Sequence, residues 1–286
     1  MGHPRVGIVV PTLGRRRVWL RQAVTSVLHQ EGVDLRLLIV GPQEDLRWLE
    51  EEDGAGTLVA EGRLAIVQET GRSLSAAINQ GWSQLSPNSD YFAWLGDDDA
   101  LTAGSLAHSA SILDAHSDVG FVYGRTIYID ADGRLIYRGL SGRWAFQYLR
   151  MGQDFIAQPG SLLRVSALPA MEPLVDDSLS NAMDLDLFLR LVTSGVKAMF
   201  TRRVQSYYRI HDAAITSTKG SRDESTMVRD RYPAPRLMEL WSHSARIRPL
   251  VERGFVWSAW HLPQPGIKKG TQLPIFAERS EEISKQ

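Results

Sequence analysis

Short apolar runs alternate with amphipathic stretches through residues 5–100, and that order constrains the fold more than any single motif does. Val6-Gly7-Ile8-Val9-Val10 is a continuous, largely β-branched run that stops at Pro11-Thr12-Leu13-Gly14. This is the pattern of a strand buried on both faces and ended by a proline. Leu20, Val24, Val27 and Leu28 then recur at helical spacing, with Arg21, Gln22 and Thr25 on the other side, which predicts an amphipathic helix ending before Gly32. Residues 35–40 read as a second buried strand, 44–52 as a short acidic helix, 64–67 as a third strand, 74–85 as a helix and 91–95 as a fourth strand. Strands alternating with helices imply parallel βαβ units with right-handed crossovers, hence a doubly wound, mostly parallel α/β sheet with helices on both faces. Ligands of such sheets bind beyond the carboxyl ends of the strands. Pro11-Thr12, residues 41–45 and residues 96–99 should therefore converge on one crevice.

Beyond Asp99 the pattern changes to a helix near 105–115, then strands at 119–129 and 135–138 joined through the hairpin-like turn Asp130-Ala131-Asp132-Gly133. No Gly/Ser linker or fixed-period repeat separates the halves. The expected organisation is one catalytic domain over 1–225, with a nucleotide-binding half at 5–100 and a mixed acceptor half at 101–225, followed by a helical appendage and tail at 226–286. In that last segment Arg229, Arg231, Arg236, Arg246, Arg248 and Arg253 lie among Trp241, Phe255, Trp257 and Trp260.

Composition narrows the chemistry. Among 286 residues there is no cysteine, so disulfides, thiolate zinc sites and a cysteine nucleophile are excluded, and any metal must be held by oxygen or imidazole. A formal net charge of −1 provides no global field for a nucleic acid partner, and none is expected. The run Val6 to Val10 is too short for a signal peptide's apolar region or a membrane span, and Val6 breaks a myristoylation motif at Gly2, so a cytoplasmic location is expected.

Gly96-Asp97-Asp98-Asp99 follows an apolar strand directly, placing three carboxylates at the mouth of the crevice. Mg²⁺ or Mn²⁺ would explain their proximity, because such ions take one or two carboxylates, keep waters and bridge to substrate phosphates. The competing reading is an acidic turn capping a helix that starts near Thr102.

Together, Val6 to Thr12, the helix leading to Val27-Leu28-His29-Gln30, residues 71–81, and Trp94-Leu95-Gly96-Asp97-Asp98-Asp99 resemble family 2 glycosyltransferases of the GT-A fold. Met183-Asp184-Leu185-Asp186-Leu187-Phe188-Leu189-Arg190-Leu191 resembles that family's downstream acidic motif, and Tyr207-Tyr208-Arg209-Ile210-His211 its late strand, so that the similarity covers about 5–217. The resemblance implies an inverting transferase that uses a nucleotide-diphosphate sugar donor and a carbohydrate or lipid-linked acceptor. Asp97, Asp98 and Asp99 would then form the metal and diphosphate group, with His211 as a further metal or diphosphate contact or else a structural histidine. Asp184 would be the general base, with Asp186 the alternative. Helical spacing puts Leu185, Phe188, Leu189 and Val192 on one face and pairs Asp186 with Arg190 on the other, leaving Asp184 at the helix start, where it could equally be an N-cap worth about 1 kcal/mol.

Pro11, Thr12 and Arg15 after the first strand, and Asn79 on the helix, are candidate donor contacts, although the stretch 11–15 also reads as a turn with a solvated arginine. Two departures stand out. The family's acidic pair after the second strand is replaced by Gly41-Pro42-Gln43-Glu44-Asp45, so that the base contact either passes to Asp45 or is altered, which leaves the nucleotide open. Ile78 stands where an Arg often precedes the Asn, leaving Arg72 to supply positive charge. Two alternatives remain: a sugar-nucleotide pyrophosphorylase, which needs more than the one glycine of Pro11-Thr12-Leu13-Gly14-Arg15, and a non-catalytic carbohydrate-binding protein of the same fold. The motifs of dinucleotide-binding and P-loop proteins are absent. The C-terminal segment admits a packed helix, a homodimer contact or a membrane-surface anchor. Glu239, Glu252, Pro233, Pro235 and Pro249 dilute the anchor reading, so at most weak, salt-sensitive association with the inner membrane face is expected.

Overall fold

A computed structural model describes residues 2–51, 55–150, 154–168, 172–211, 220–232 and 269–273. The chain runs β1 (Arg5–Pro11), α1 (Arg17–Leu28), β2 (Asp34–Gly41), α2 (Gln43–Leu46), α3 (Ala55–Ala60), β3 (Leu64–Gln68), α4 (Leu74–Leu85) and β4 (Tyr91–Trp94). It continues through β5 (Ala100–Leu101), α5 (Ser105–Ala115), β6 (Val119–Ile129), β7 (Leu135–Arg138), α6 (Ala145–Tyr148) and β8 (Leu162–Arg164) to α7 (Met183–Thr193), β9 (Lys197–Arg209) and α8 (Gly220–Arg231).

Among the described residues one sheet has the order β3-β2-β1-β4-β8-β6-β9-β5, with β7 hydrogen-bonded to β6. The first four strands are mutually parallel; β8 runs antiparallel to both β4 and β6, and β6 pairs with β9 in parallel. The sheet is therefore parallel in its first half and mixed in its second. Residues of β1 alternate between two cores: Val6, Ile8 and Val10 pack with α1 and α5, whereas Val9 packs with α4 and α7 on the opposite face. Both cores bury β-branched and aromatic side chains almost completely, which is why these strands read as continuous apolar runs.

Close approach of backbone explains two glycines. A Cβ on Gly81 would lie 2.2 Å from Cγ2 of Val9, so only glycine lets α4 sit this near β1. A Cβ on Gly41 would lie 2.3 Å from the carbonyl oxygen of Thr12, so the ends of β1 and β2 close together at the crevice.

Some expectations change. The acidic helix expected at 44–52 is the single turn α2 followed by a 3-10 turn, Arg47–Glu51. Leu46 and Leu49 are both buried, and a three-residue spacing shares one face of that tighter helix. The helix expected near 105–115 is α5, and it begins at Ser105 behind Gly104 at φ +65°, not near Thr102 as the acidic-cap reading required, because Ala100 and Leu101 pair with β9 first. An acidic cap formed by Asp97 to Asp99 is thereby removed from consideration. The expected boundary at 225 falls within α8, whose Val228 is fully buried in the core that contains α7. Residues 269–273 lie against β7, with hydrogen bonds from Gly270 N to Leu135 O at 2.8 Å and from Leu135 N to Thr271 O at 3.0 Å. Arg236, Arg246, Arg248 and Arg253, together with Trp241, Phe255, Trp257 and Trp260, lie outside the described residues.

Candidate active site

The parallel strands β1 and β4 end side by side, and the turn after β4 is tied to the turn after β1. Thr12 continues the β1–β2 ladder through its amide, which donates to Val40 O at 2.9 Å. Its hydroxyl donates to Asp97 Oδ2 at 2.5 Å and accepts the Gly14 amide at 2.9 Å. Burial pushes the Asp97 carboxyl up, the Thr12 bond opposes that shift, and the neighbouring Asp98 charge adds to it.

Asp98 faces another group. Its Oδ2 lies 2.8 Å from His211 Nε2, and the Arg16 guanidinium is 3.7 Å away. Asp99 is only 6% exposed, and its Oδ1 accepts the Arg209 amide at 2.8 Å. The Arg209 side chain, 2% exposed, links four parts of the molecule. Nε donates to Asp98 O at 2.8 Å, one terminal nitrogen to Asp130 O at 3.2 Å and Ala131 O at 3.0 Å, and the other to Gln22 Oε1 at 2.8 Å. Burial pushes the Asp99 carboxyl well up and the Arg209 guanidinium down, each opposed by the attraction between them. Trp19 packs beside this group, its ring tilted 43° to that of His211 at 4.7 Å, with the Arg209 guanidinium 5.0 Å and that of Arg16 5.3 Å from its centroid.

The start of α7 opens onto the same crevice. Asp98, Asp99 and Arg209 line it together with Asn181, Met183 and Asp184, and Pro11 contributes to its wall. Asp184 lies in the first turn of α7 and is not its N-cap, a position held by Ala182 with no side-chain bond. Its Oδ1 accepts the Leu185 amide at 2.8 Å. Asp184 keeps partial contact with solvent through the crevice and is otherwise surrounded by protein, and this burial raises its carboxyl to about 6, with a smaller contribution from the Glu224 charge. Asp186 turns elsewhere. It is 2% exposed and bonded to Arg190 Nε at 2.9 Å and the Tyr232 hydroxyl at 3.0 Å, which is the helical pairing expected from its spacing.

A family model described as glycosyl transferase family 2 matches residues 7–161, more than half of the chain. The chain belongs to glycosyl transferase family 2. No curated protein sequence matches it. Among solved structures, S. aureus TarS 1-349 in complex with UDP-GlcNAc superposes with a TM-score of 0.58 at 13% identity, covering 78% of this chain and 64% of that one. The same TarS fragment with UDP gives 0.57 at 11% identity, over 89% and 71% of the two chains. A longer TarS structure gives 0.55 at 12% identity, over 91% of this chain and 44% of that one. The chain thus spans less than two thirds of the first of these structures, and at such identities the likeness is one of fold: the mixed α/β arrangement of GT-A-type glycosyltransferases.

In this family 2 chain the remaining donor candidates are dispersed. Arg15 and Arg72 are exposed, and Asp45 is exposed on α2 beside the Gly14 turn. The Asn79 amide is used internally: its nitrogen donates to Val175 O at 2.8 Å and Asp177 Oδ1 at 2.7 Å, and its oxygen accepts the Val175 amide at 3.0 Å. It braces α4 against the loop that leads into α7. Several site residues escape sequence reasoning. Arg16, not Arg15, reaches Asp98, and Trp19 covers His211. Asp154, in the loop before β8, has its carboxyl raised to about 7 by burial first and by the Asp184 charge second. The one legible signal was Arg209, a guanidinium set between Tyr208 and Ile210 at the end of β9, which is costly to bury unless it is organising something.

Proposed function

We propose that this family 2 member transfers a sugar from a nucleotide-diphosphate sugar to an acceptor hydroxyl, carbohydrate or lipid-linked, with inversion at the anomeric carbon and Asp184 as general base. The supporting observation is that Asp184 shares one crevice with the 96–99 turn while burial holds its carboxyl at about 6. At neutral pH it is ionised, yet it binds a proton more readily than an ordinary aspartate does. The acceptor oxygen attacks the anomeric carbon as the bond from that carbon to the donor phosphate oxygen breaks. The hydroxyl proton passes to Asp184, and the nucleoside diphosphate leaves with the electron pair. One displacement inverts the centre and requires no glycosyl-enzyme intermediate. General-base assistance of this kind contributes about 10² to 10⁴ in rate.

Mn²⁺ or Mg²⁺ suits the donor atoms at the turn. Asp98 Oδ2 and His211 Nε2 are 2.8 Å apart and would hold the ion, whereas Asp97 is turned to Thr12 and Asp99 to the Arg209 amide. Among the described residues no three acidic or histidine side chains form a ligand set, and a two-residue set leaves positions for water and phosphate, as such ions prefer. When bound, the ion would supply Lewis-acid neutralisation of the donor diphosphate.

The TarS structures hold UDP-GlcNAc or UDP, so a donor panel begins with UDP sugars. Asp184→Asn is expected to lower kcat by about 10²-fold or more while leaving donor affinity nearly unchanged. Wild-type kcat should rise with pH through about 6 as the base ionises. Near-wild-type turnover of Asp184→Asn would refute the assignment.

A further inference from the structure

α7 carries the proposed base but no cap of its own, since Ala182 at its N-cap has no side-chain acceptor. The backbone amides that lead into the helix, at 180–182, are satisfied from another element. Glu224, on α8, accepts the Ser180 amide through Oε1 at 2.8 Å, and the Asn181 and Ala182 amides through Oε2 at 2.5 and 2.7 Å. Asn181 and Asp184 both line the crevice, so the carboxylate grips the backbone that forms its wall. α8 is itself anchored beyond Glu224. Arg231 pairs with Asp176 at 2.7 Å, and the Tyr232 hydroxyl bonds Asp186 at 3.0 Å, so the two anchors hold the approach to α7 and its first turn respectively.

We propose that Glu224 is a positioning residue for transfer: it closes the N-terminus of α7 from outside the helix and fixes the orientation of Asp184 toward the acceptor. The proposal rests on Asp184 as the base. Three amides converging on one carboxylate restrain both position and rotation of the helix start, which a single local Ser or Asp cap does not do. The second effect is electrostatic. The groups that face Asp184 are Glu224 from α8, Asp154 from the loop before β8, and Asp98, Asp99 and Arg209 across the crevice. Glu224 adds negative charge from behind and keeps Asp184 basic.

The test uses the full chain with Glu224→Gln and Glu224→Asp. Glu224→Gln should increase amide hydrogen exchange at 180–182, lower kcat on the order of tenfold with donor KM little changed, and move the acid limb of the kcat profile to lower pH. Glu224→Asp keeps the charge at shorter reach. It should retain the wild-type acid limb while kcat falls between the two, and it serves alone if the Gln variant does not fold. Wild-type exchange and kcat in either folded variant would overturn the proposal, as would a loss of activity matched by loss of folded protein with an unmoved acid limb in Glu224→Gln. Asp184→Asn separates the two ideas. If that variant keeps turnover the base assignment fails, whereas if it is inactive while Glu224→Gln behaves as wild type, only the Glu224 proposal fails.

Discussion

Replacing Arg209 with Met tests whether the acidic turn is held in place by this buried cation. The side chain is 2% exposed and reaches the Asp98, Asp130 and Ala131 carbonyls and the Gln22 amide oxygen. Met fills similar volume but leaves those four acceptors without this donor and the Asp99 carboxylate without its countercharge. A buried acceptor left unsatisfied costs about 1–3 kcal/mol, so the loss of these bonds together with the attraction to Asp99 is expected to cost about 3–5 kcal/mol in all. For a chain of this size that corresponds to a fall in Tm of roughly 10 °C. Arg209→Lys keeps the charge but cannot make the forked contacts, so it should recover less than half of the loss. Adding Asp99→Asn to Arg209→Met removes the stranded charge and should recover about 1–3 kcal/mol, a coupling read from a double-mutant cycle in urea or thermal unfolding. A Tm for Arg209→Met within roughly 2 °C of wild type, or a double variant no more stable than the additive sum, would refute the reasoning.

Further outcomes are expected elsewhere. Burial raises the Asp154 carboxyl to about 7, above its unfolded value, so its ionisation opposes folding: stability is fullest below the unfolded pKa and is lost as pH rises through about 7. Asp154→Asn should therefore raise Tm at pH 8, with the gain shrinking toward pH 4.5, and an equal gain at both ends would contradict this linkage. Chelation should abolish nucleotide-diphosphate binding without unfolding the chain, Mn²⁺ or Mg²⁺ should restore it, and Asp98→Ala or His211→Ala should weaken only the metal-dependent part in calorimetric titration. Equal affinity with and without metal would remove the ion from the account. Gly81→Ala, whose Cβ would lie 2.2 Å from a Val9 methyl, should destabilise by about 1–3 kcal/mol in urea unfolding, and no loss would mean that α4 can retreat from β1.

The alternation of β1 to β4 with α1 and α4 was legible because β1, β2 and β4 are buried on both faces over most of their length and each helix on one, which leaves continuous and 3.6-period patterns respectively. β5 and β8, of two and three residues, carry no period to detect and exist only through their pairing with β9, β4 and β6. The turn at 96–99 could be located as a strand end, but the division of labour within it could not. Asp97 bonds a hydroxyl 85 positions away and Asp99 an amide 110 positions away, so three chemically identical neighbours acquire different partners. Helical spacing correctly pairs Asp186 with Arg190, because that contact is local, and so leaves Asp184 as the acid without a helical partner.

What the sequence determined alone is therefore whatever depends on near neighbours: the order of elements, the strand ends that carry Thr12 and the acidic turn, the ion pair within α7, and family membership through an ordered set of motifs. Tertiary structure decided the rest. It buried Arg209 against three distant segments, set Trp19 on His211, raised Asp184 and Asp154 by enclosing them, and brought Glu224 from α8 to the uncapped start of α7. Burial and through-space charge depend on which remote segments the sheet order brings together, and a linear pattern of residue types contains no record of those distances.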